Sequence, residues 1–344
     1  MAQKTALITG ITGQDGAVLA QILLEKNYHV HGMRPYSAVP DTARVEGLDI
    51  TLHYGDVTDG GAILRLLETI KPDEIYNLAG MSHVHVSFDM PELTANVNGL
   101  GPIRILEAMR LMHAQKEIRF YQASSSEMFG RAPAPQSEQT PFEPCSPYGA
   151  SKLYAYWMVR QYREAYGLHA SNGILFNHES ALRGEEFVTR KITKAIGQIE
   201  AGLRNRVSLG NLDAKRDWGH AHDYMHGAWA MLQQKTPDDY VLATGQSYSV
   251  RDFLAKAFAV IGVNIIWKGA GLNELGINKQ TGQTIIDIDP ALFRPTEIHN
   301  LIGDASKAKH LLNWTPRHSF DDLVTEMVQA DRIVQNAAPM KYGT

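Results

Sequence analysis

Apolar runs of strand length alternate with stretches of helical apolar spacing from the start of the chain. Residues 4–9 (KTALIT) form a short apolar strand, and residues 17–26 (AVLAQILLEK) then carry apolar positions at helical spacing. Residues 28–33 predict a second strand and residues 52–57 a third. A helix over 61–70, a fourth strand over 72–79 and a helix over 93–109 follow, with Gly99 and Gly101 as weak points in the last. Residues 118–124 predict a fifth strand, and residues 170–176 a sixth that ends at Asn177-His178-Glu179-Ser180. This alternation predicts an α/β fold built on a doubly wound parallel sheet.

After residue 180 the pattern loosens, with Gly184, Gly197, Gly202, Gly210 and Gly219 breaking short elements. Residues 239–244 return to the sheet, and 250–261 and 320–334 are amphipathic helices. The expected organisation is a dinucleotide-binding Rossmann domain over 1–176, with 217–245 returning to it. Residues 177–344 mainly form a smaller C-terminal α/β substrate domain.

Composition narrows the class. The chain has 344 residues, 44% of them hydrophobic, enough for one large or two intimate domains with a real core. Basic residues number 33 against 37 acidic, a net charge of -4 that points to neither nucleic acid nor an anionic membrane as partner. The single cysteine, Cys145, excludes an internal disulfide and fits a cytoplasmic location. No base is evident beside it to make it a nucleophile. The first apolar stretch, residues 5–10, is too short for a signal or a membrane span.

Chemistry enters at the ends of the predicted strands. Gly10-Ile11-Thr12-Gly13-Gln14-Asp15-Gly16 lies between strand and helix, the context that makes a glycine motif informative. Gly10 allows the tight turn, Gly13 lets backbone approach a pyrophosphate, and Gly16 lets the helix pack close to the sheet. The phosphates then meet a helix N-terminus, where free N–H groups and the dipole favour anions. No acid follows the second strand; Arg34 stands there, which favours a ribose 2′-phosphate and hence NADP, though a solvated strand-end arginine reads the same way. Asp56 at a strand end is an acceptor for the adenine amino group or a plain N-cap, and Gly80-Met81-Ser82 is a small-residue turn suited to lie against a cofactor.

The stretch 124–152 holds the reactive groups. Ser124-Ser125-Ser126-Glu127 ends the fifth strand, at the usual mouth of an α/β site. Ser146 is a good N-cap and Pro147 suits the first helical position. Tyr148 and Lys152 then stand four apart on one helical face. An ammonium beside a phenol favours phenolate, so the tyrosine is a candidate base near neutral pH. Arg183, Arg190, Lys191, Lys194, Lys215, Arg216 and Arg294 make a basic set near strand-end loops, either a solvated face or the seat of a phosphate-bearing substrate. The 14 histidines include His83/His85 and His222/His226, but neither pair has a third ligand at recognisable spacing, and no metal is expected.

With these residues the chain resembles the extended short-chain dehydrogenase/reductases of the nucleotide-sugar type. It is most similar to the GDP-mannose 4,6-dehydratase family, across nearly its full length. The specific segments are residues 9–16, 124–127, 146–148, 173–180 (GILFNHES), 187–193 (FVTRKIT), 209–211, 215–219 (KRDWG) and 293–295. The resemblance implies an NADP-dependent lyase (a hydro-lyase) with Tyr148 as base for the sugar C4 hydroxyl and Glu127 as base at C5. It also implies Ser125 bonded to the C4 oxygen and Lys152 on the nicotinamide ribose. It implies cofactor contacts from Gly10, Thr12, Gly13, Gln14, Asp15, Gly16, Arg34, Asp56, Val57, Leu78, Ala79, Gly80, Ser82, His178 and Arg183. The GDP-sugar would meet Ser82, Asn177, Glu179, Val188, Lys191, Gly210, Asn211, Lys215, Arg216, Arg294 and Glu297. The resemblance further implies a homo-oligomer, a dimer at least and in some members a tetramer. The chain departs from the family at Ser125, where threonine is usual, at Pro35-Tyr36, where two arginines are usual, and at Leu93, where a tyrosine is usual. A GDP-manno-heptose 4,6-dehydratase, or a GDP-sugar epimerase or reductase, is the alternative.

Overall fold

The computed structural model describes residues 3–39, 41–293, 298 and 300–337. Its centre is a parallel sheet made of β1 (Thr5–Thr9), β2 (His29–Arg34), β3 (Thr51–Tyr54), β4 (Glu74–Asn77), β5 (Arg119–Ser125), β6 (His169–Leu175) and β11 (Asp239–Leu242). The strand order is β11-β6-β5-β4-β1-β2-β3. The order reverses between β1 and β4, the point outside which ligands bind in open α/β sheets. Strands this apolar need helices on both faces, and Ala6, Leu7 and Ile8 of β1 are all buried. One face is covered by the helices Gln14–Glu25 and Ala221–Leu232, with Leu19, Leu23, Tyr224 and Ala228 in a common core. The other is covered by Gly60–Ile70, Gly101–Met112 and Pro147–Tyr166, which bury Leu67, Ile105, Met109 and Val159.

A second core lies among the helices Val188–Glu200, Val250–Val260 and Phe320–Ala337. It joins Ile192, Ile196, Phe253, Phe258, Leu323 and Met327 to Val207 and Ile286 of a small sheet. That sheet has the order β13-β14-β15-β8, from β8 (Val207–Leu209), β13 (Ile265–Lys268), β14 (Leu275–Asn278) and β15 (Thr284–Ile288). Two short pairs stitch the halves together. β7 (Asn177–Glu179) runs parallel to β10 (Trp218–His220), and β9 (Lys215–Arg216) pairs with β12 (Tyr248–Ser249).

Three elements differ from their sequence patterns. The first helix starts at Gln14, because the glycine turn itself supplies the first helical turn and Ala17 N–H already reaches the Gly13 carbonyl at 3.0 Å. β3 stops at Tyr54, and Asp56 folds the chain away by accepting from the N–H and hydroxyl of Thr58 at 2.8 and 2.7 Å. The helix expected over 93–109 is helical from Pro91 to Met112 but widens to a π segment over Ala95–Leu100. Pro102 has no N–H to give to the carbonyl four residues back, so the ladder re-registers in the turn before it.

Candidate active site

The C-terminal ends of β1, β4, β5 and β6 open into a cleft of about 750 Å³ that continues between the two cores. The glycine turn forms its floor. Gly10 sits at φ +70°, and a Cβ there would lie 2.7 Å from the Ala79 nitrogen. A Cβ on Gly16 would lie 2.5 Å from the Gly10 carbonyl, whereas one on Gly13 would touch only that carbonyl, at 3.3 Å. Two of the glycines close the turn and the middle one keeps its outer side open, the shape a pyrophosphate needs. Opposite, a Cβ on Gly80 would come 3.0 Å from the Asn98 amide oxygen and 3.5 Å from Lys152 Nζ, so a flat group has room there that a side chain does not. Thr12, Gln14, Asp15, Asp56, Val57, Leu78, Ala79, Ser82, His178 and Arg183 line the same cleft.

Arg34 does not line it. The register of β2 and β3 places Arg34 opposite Tyr54, and its guanidinium rests 4.7 Å above that ring with Nη2 donating to the phenol oxygen at 3.3 Å. The cleft wall at this point is Pro35. Tyr36 is exposed and packs beside Tyr54.

The reacting end combines β5 with the helix Pro147–Tyr166. Ser146 caps that helix as expected, accepting from Gly149 N–H at 3.0 Å. Two further contacts seat it, and neither is visible in the sequence pattern. Ser87 accepts the Tyr148 N–H at 3.2 Å, and a Cβ on Gly149 would lie 2.7 Å from the Glu127 carbonyl. The helix therefore presses its first turn directly against the segment that carries Glu127. Ser125 ends β5, accepts the Glu127 N–H at 3.2 Å and hydrogen-bonds Tyr148. Lys152 is buried, donates from Nζ to the Ala123 carbonyl at 2.9 Å and lies 5.8 Å from the centre of the Tyr148 ring.

The electrostatics correct one expectation. Burial pushes the Tyr148 phenol up to about 12, partly opposed by its bond to Ser125 and reinforced by the nearby Glu127. Burial also pulls the Lys152 ammonium down to about 8, with Asp15 acting against it. In the protein alone, desolvation outweighs the help that the sequence spacing predicts Lys152 gives to the phenol.

His178 has an acceptor at each ring nitrogen: the Phe176 carbonyl at 2.7 Å from Nδ1 and the Asp15 carboxylate at 2.9 Å from Nε2. Two acceptors favour the charged form, with hydrogen on both nitrogens. Burial works against that charge, but Asp15 and Phe176 outweigh it and raise the pKa. Asp15 is likewise held at about 2, the penalty of burial being exceeded by His178 and Gln14. The ring also stacks on Tyr224 at 4.8 Å.

Three of the basic set meet carboxylates within the protein. Arg190 meets Asp331 at 2.8 Å, Lys194 meets Glu185, and Arg183 meets Glu179 at 3.0 Å while lying over the Phe187 ring. Glu179 also accepts from the Thr189 hydroxyl at 2.8 Å. Alternation along β9 turns Lys215 outward, so it does not line the cleft, and Arg216 inward. Lys191 and Arg216 line the cleft beside Arg183, with Arg216 Nη1 donating to the Lys215 and Ile298 carbonyls at 2.8 and 2.7 Å, and Asn177, Glu179, Val188, Gly210 and Asn211 stand around them. Arg294 and Glu297 lie outside the described residues. Asn98, unremarked in the sequence pattern, clamps the loop after β4 from the π segment: it accepts the Met81 N–H at 2.9 Å and donates to the Met81 carbonyl at 3.0 Å. The signal beside it in the sequence is the pair of weak points Gly99 and Gly101.

Comparison with known proteins is consistent with this geometry. The family model for GDP-mannose 4,6 dehydratase matches residues 7–327. The chain is 53% identical over 339 residues to the GDP-mannose 4,6-dehydratase of Sinorhizobium fredii, covering 96% of this chain and 97% of that protein. It is 52% identical over 340 residues to the GDP-mannose 4,6 dehydratase of Homo sapiens, covering 96% and 91%. Among solved structures, the UDP-glucose 4-epimerase of Thermus thermophilus in complex with NAD shares the fold. It superposes with a TM-score of 0.80 at 21% identity, over 95% of this chain and 99% of that one. The chain belongs to the GDP-mannose 4,6-dehydratase family.

Proposed function

We propose that the protein is an NADP-dependent hydro-lyase that converts GDP-mannose into GDP-4-keto-6-deoxymannose and water. The observation that carries this reading is the meeting of Ser125, Glu127, Tyr148 and Lys152 at one end of the cleft. A ketoreductase or a simple C4 epimerase uses the tyrosine and the lysine. A carboxylate beside them adds a base for a C–H proton next to a newly formed ketone.

A nicotinamide held in the cleft would supply the redox chemistry, a hydride accepted from C4 and given back at C6, so one carbon would be oxidised and another reduced. The positive charge of a bound oxidised nicotinamide would oppose the burial that raises the Tyr148 phenol, and Tyr148 as phenolate would then take the proton of the C4 hydroxyl, with Ser125 bonded to the same oxygen. Glu127 takes the C5 proton, acidic once C4 is a ketone, and passes it to the departing C6 hydroxyl, which leaves as water. The proton later returned to C5 balances the one Tyr148 removed. The glycine turn would hold the cofactor pyrophosphate and Lys152 its nicotinamide ribose. Lys191 and Arg216 would hold the substrate diphosphate, and Asn177, Val188, Gly210 and Asn211 the nucleoside beside them. Arg294 and Glu297 are assigned to the same part of the substrate.

NADP is favoured over NAD because no acid follows β2 and Arg34 stands there; to reach a 2′-phosphate it leaves Tyr54. We place the enzyme in the cytoplasm as a homo-oligomer. Among the described residues no helix is long and apolar enough to cross a membrane.

The test is incubation with GDP-mannose and with GDP-manno-heptose, read by mass spectrometry for loss of water. Dehydration of the heptose alone selects the alternative, and dehydration of neither removes the reading. Calorimetry with NADP and NAD tests the cofactor: NAD binding as tight as NADP binding rejects the preference.

A further inference from the structure

A buried row of polar side chains crosses the sheet one rung below the cleft. Register places Thr9 of β1 opposite Asn77 of β4, and Asn77 opposite Gln122 of β5. Each of the three is 1% exposed. Their hydrogen bonds all run one way. The Ala79 N–H donates to the Thr9 hydroxyl at 3.2 Å, which donates to the Asn77 amide oxygen at 2.6 Å. The Asn77 amide nitrogen donates to the Gln122 oxygen at 2.8 Å, and the Gln122 nitrogen to the Ala123 carbonyl at 3.0 Å. The row ends on the same carbonyl oxygen that receives Lys152 Nζ at 2.9 Å.

Buried amides cost free energy unless fully paired, and an apolar floor would serve packing as well. What the row does that an apolar floor does not is fill one of the two lone pairs of the Ala123 carbonyl. That carbonyl lies just past the last rung β5 shares with β4, since β4 ends at Asn77 while β5 runs on to Ser125. A carbonyl already polarised by Gln122 grips an ammonium less firmly than one facing it alone.

We propose that Gln122, backed by Asn77 and Thr9, is a positioning residue for Lys152: by sharing the Ala123 carbonyl it keeps the ammonium docked yet releasable toward the cofactor ribose. This rests on the role given to Lys152 above. The titratable and charged groups around Lys152 and Tyr148 are those two themselves, Asp15 from the glycine turn, Glu127 after β5, and Arg183 across the cleft. The Gln122 amide accepts from Asn77 and donates to the Ala123 carbonyl, so Gln122→Met reads the shared carbonyl without adding a charge, and Gln122→Glu adds one.

The experiment uses Gln122→Met, which keeps the volume, and Gln122→Glu, which sets a carboxylate against the shared carbonyl. Two readouts are taken. The first is the titration of Lys152 by nuclear magnetic resonance of lysine labelled at Cε, assigned by its loss in Lys152→Met. The second is the single-turnover appearance of reduced nicotinamide against pH. Both variants should shift the Lys152 midpoint upward, Glu more than Met, because each favours the charged form. Reduced nicotinamide should appear about tenfold more slowly, the scale of one hydrogen bond, with cofactor affinity within about threefold of the parent. An unmoved Lys152 midpoint overturns the proposal, as does unfolding of both variants, which would make the row a structural floor only. Loss of cofactor binding also overturns it, by showing that the row supports the glycine turn. A parent that reduces no cofactor with any GDP-sugar sinks the functional reading instead, and the Lys152 titration still decides the positioning claim.

Discussion

Glu127 and Tyr148 sit within one turn-to-turn contact, yet the proposed chemistry gives them protons from different atoms. Glu127→Gln keeps the shape and removes the base, and loss of one positioned base slows its step by about 10²–10⁴-fold. Reduced nicotinamide and a 4-keto sugar should therefore form and persist, with little loss of water. Tyr148→Phe should show no reduced nicotinamide at all. Stopped-flow absorbance with mass analysis of the product separates the two, after GDP binding is checked; a Glu127→Gln protein that dehydrates at the parent rate removes Glu127 from its role. The Asp15–His178 pair gives a second prediction. His178 is raised above its ordinary 6.5, so its contribution to stability is present below that value and is lost as pH rises through the folded value. Asp15 is lowered from 3.8 to about 2, so its contribution is present above 3.8 and is lost as pH falls toward 2. Asp15→Asn should then lower the thermal midpoint most between these limits and progressively less at alkaline pH. A constant difference across the range would mean the pair is not an ion pair. These site residues were legible because their signals are local: the glycines, Tyr148 and Lys152, and Ser125 and Glu127 each fall within one short stretch. The fates of Arg34, Arg190 and Lys215 were not, because each is decided by a partner or a register distant in sequence, such as Asp331 for Arg190.

At the scale of elements, the helix Pro147–Tyr166 carries the proposed catalytic pair, and several contacts specify its start. Its cap, its proline and its Gly149 contact act on the turn that holds Tyr148. Ser146→Ala should cost about 1 kcal/mol, as N-cap losses do. Because the frayed turn carries Tyr148, the turnover rate should fall while GDP affinity stays. Urea denaturation and steady-state kinetics check both, and an unchanged turnover rate would show that Ser87 alone holds the turn. The strands were read to within a few residues from their apolar runs. The π segment over Ala95–Leu100 was not, since apolar spacing reports which face is buried and is blind to how the backbone ladder is registered.

For the whole molecule, the outer surface of the Tyr148 helix is unusually apolar. Tyr154 and Trp157 are 48% and 45% exposed, with Leu93 and Leu100 of the neighbouring helical segment beside them at 41% and 43%. Leu153 and Met158 of the same helix pack against the core. We predict at least a dimer through this surface, seen by light scattering at micromolar concentration; a monomer there, or a dimer undisturbed by Trp157→Glu, excludes the interface. The order of strands in the large sheet has a different consequence. β11 completes the edge beside β6, but β7 to β10 are made between them. On the ribosome, then, β6 emerges with one side bare and stays so until Asp239–Leu242 arrives. The second core stays incomplete still longer, since Leu323, Val324, Met327 and Val328 come from the helix Phe320–Ala337. A nascent chain of this fold therefore passes through a period with an exposed, unpaired strand edge, when a neighbour on the same polysome or a chaperone is the cover available to it.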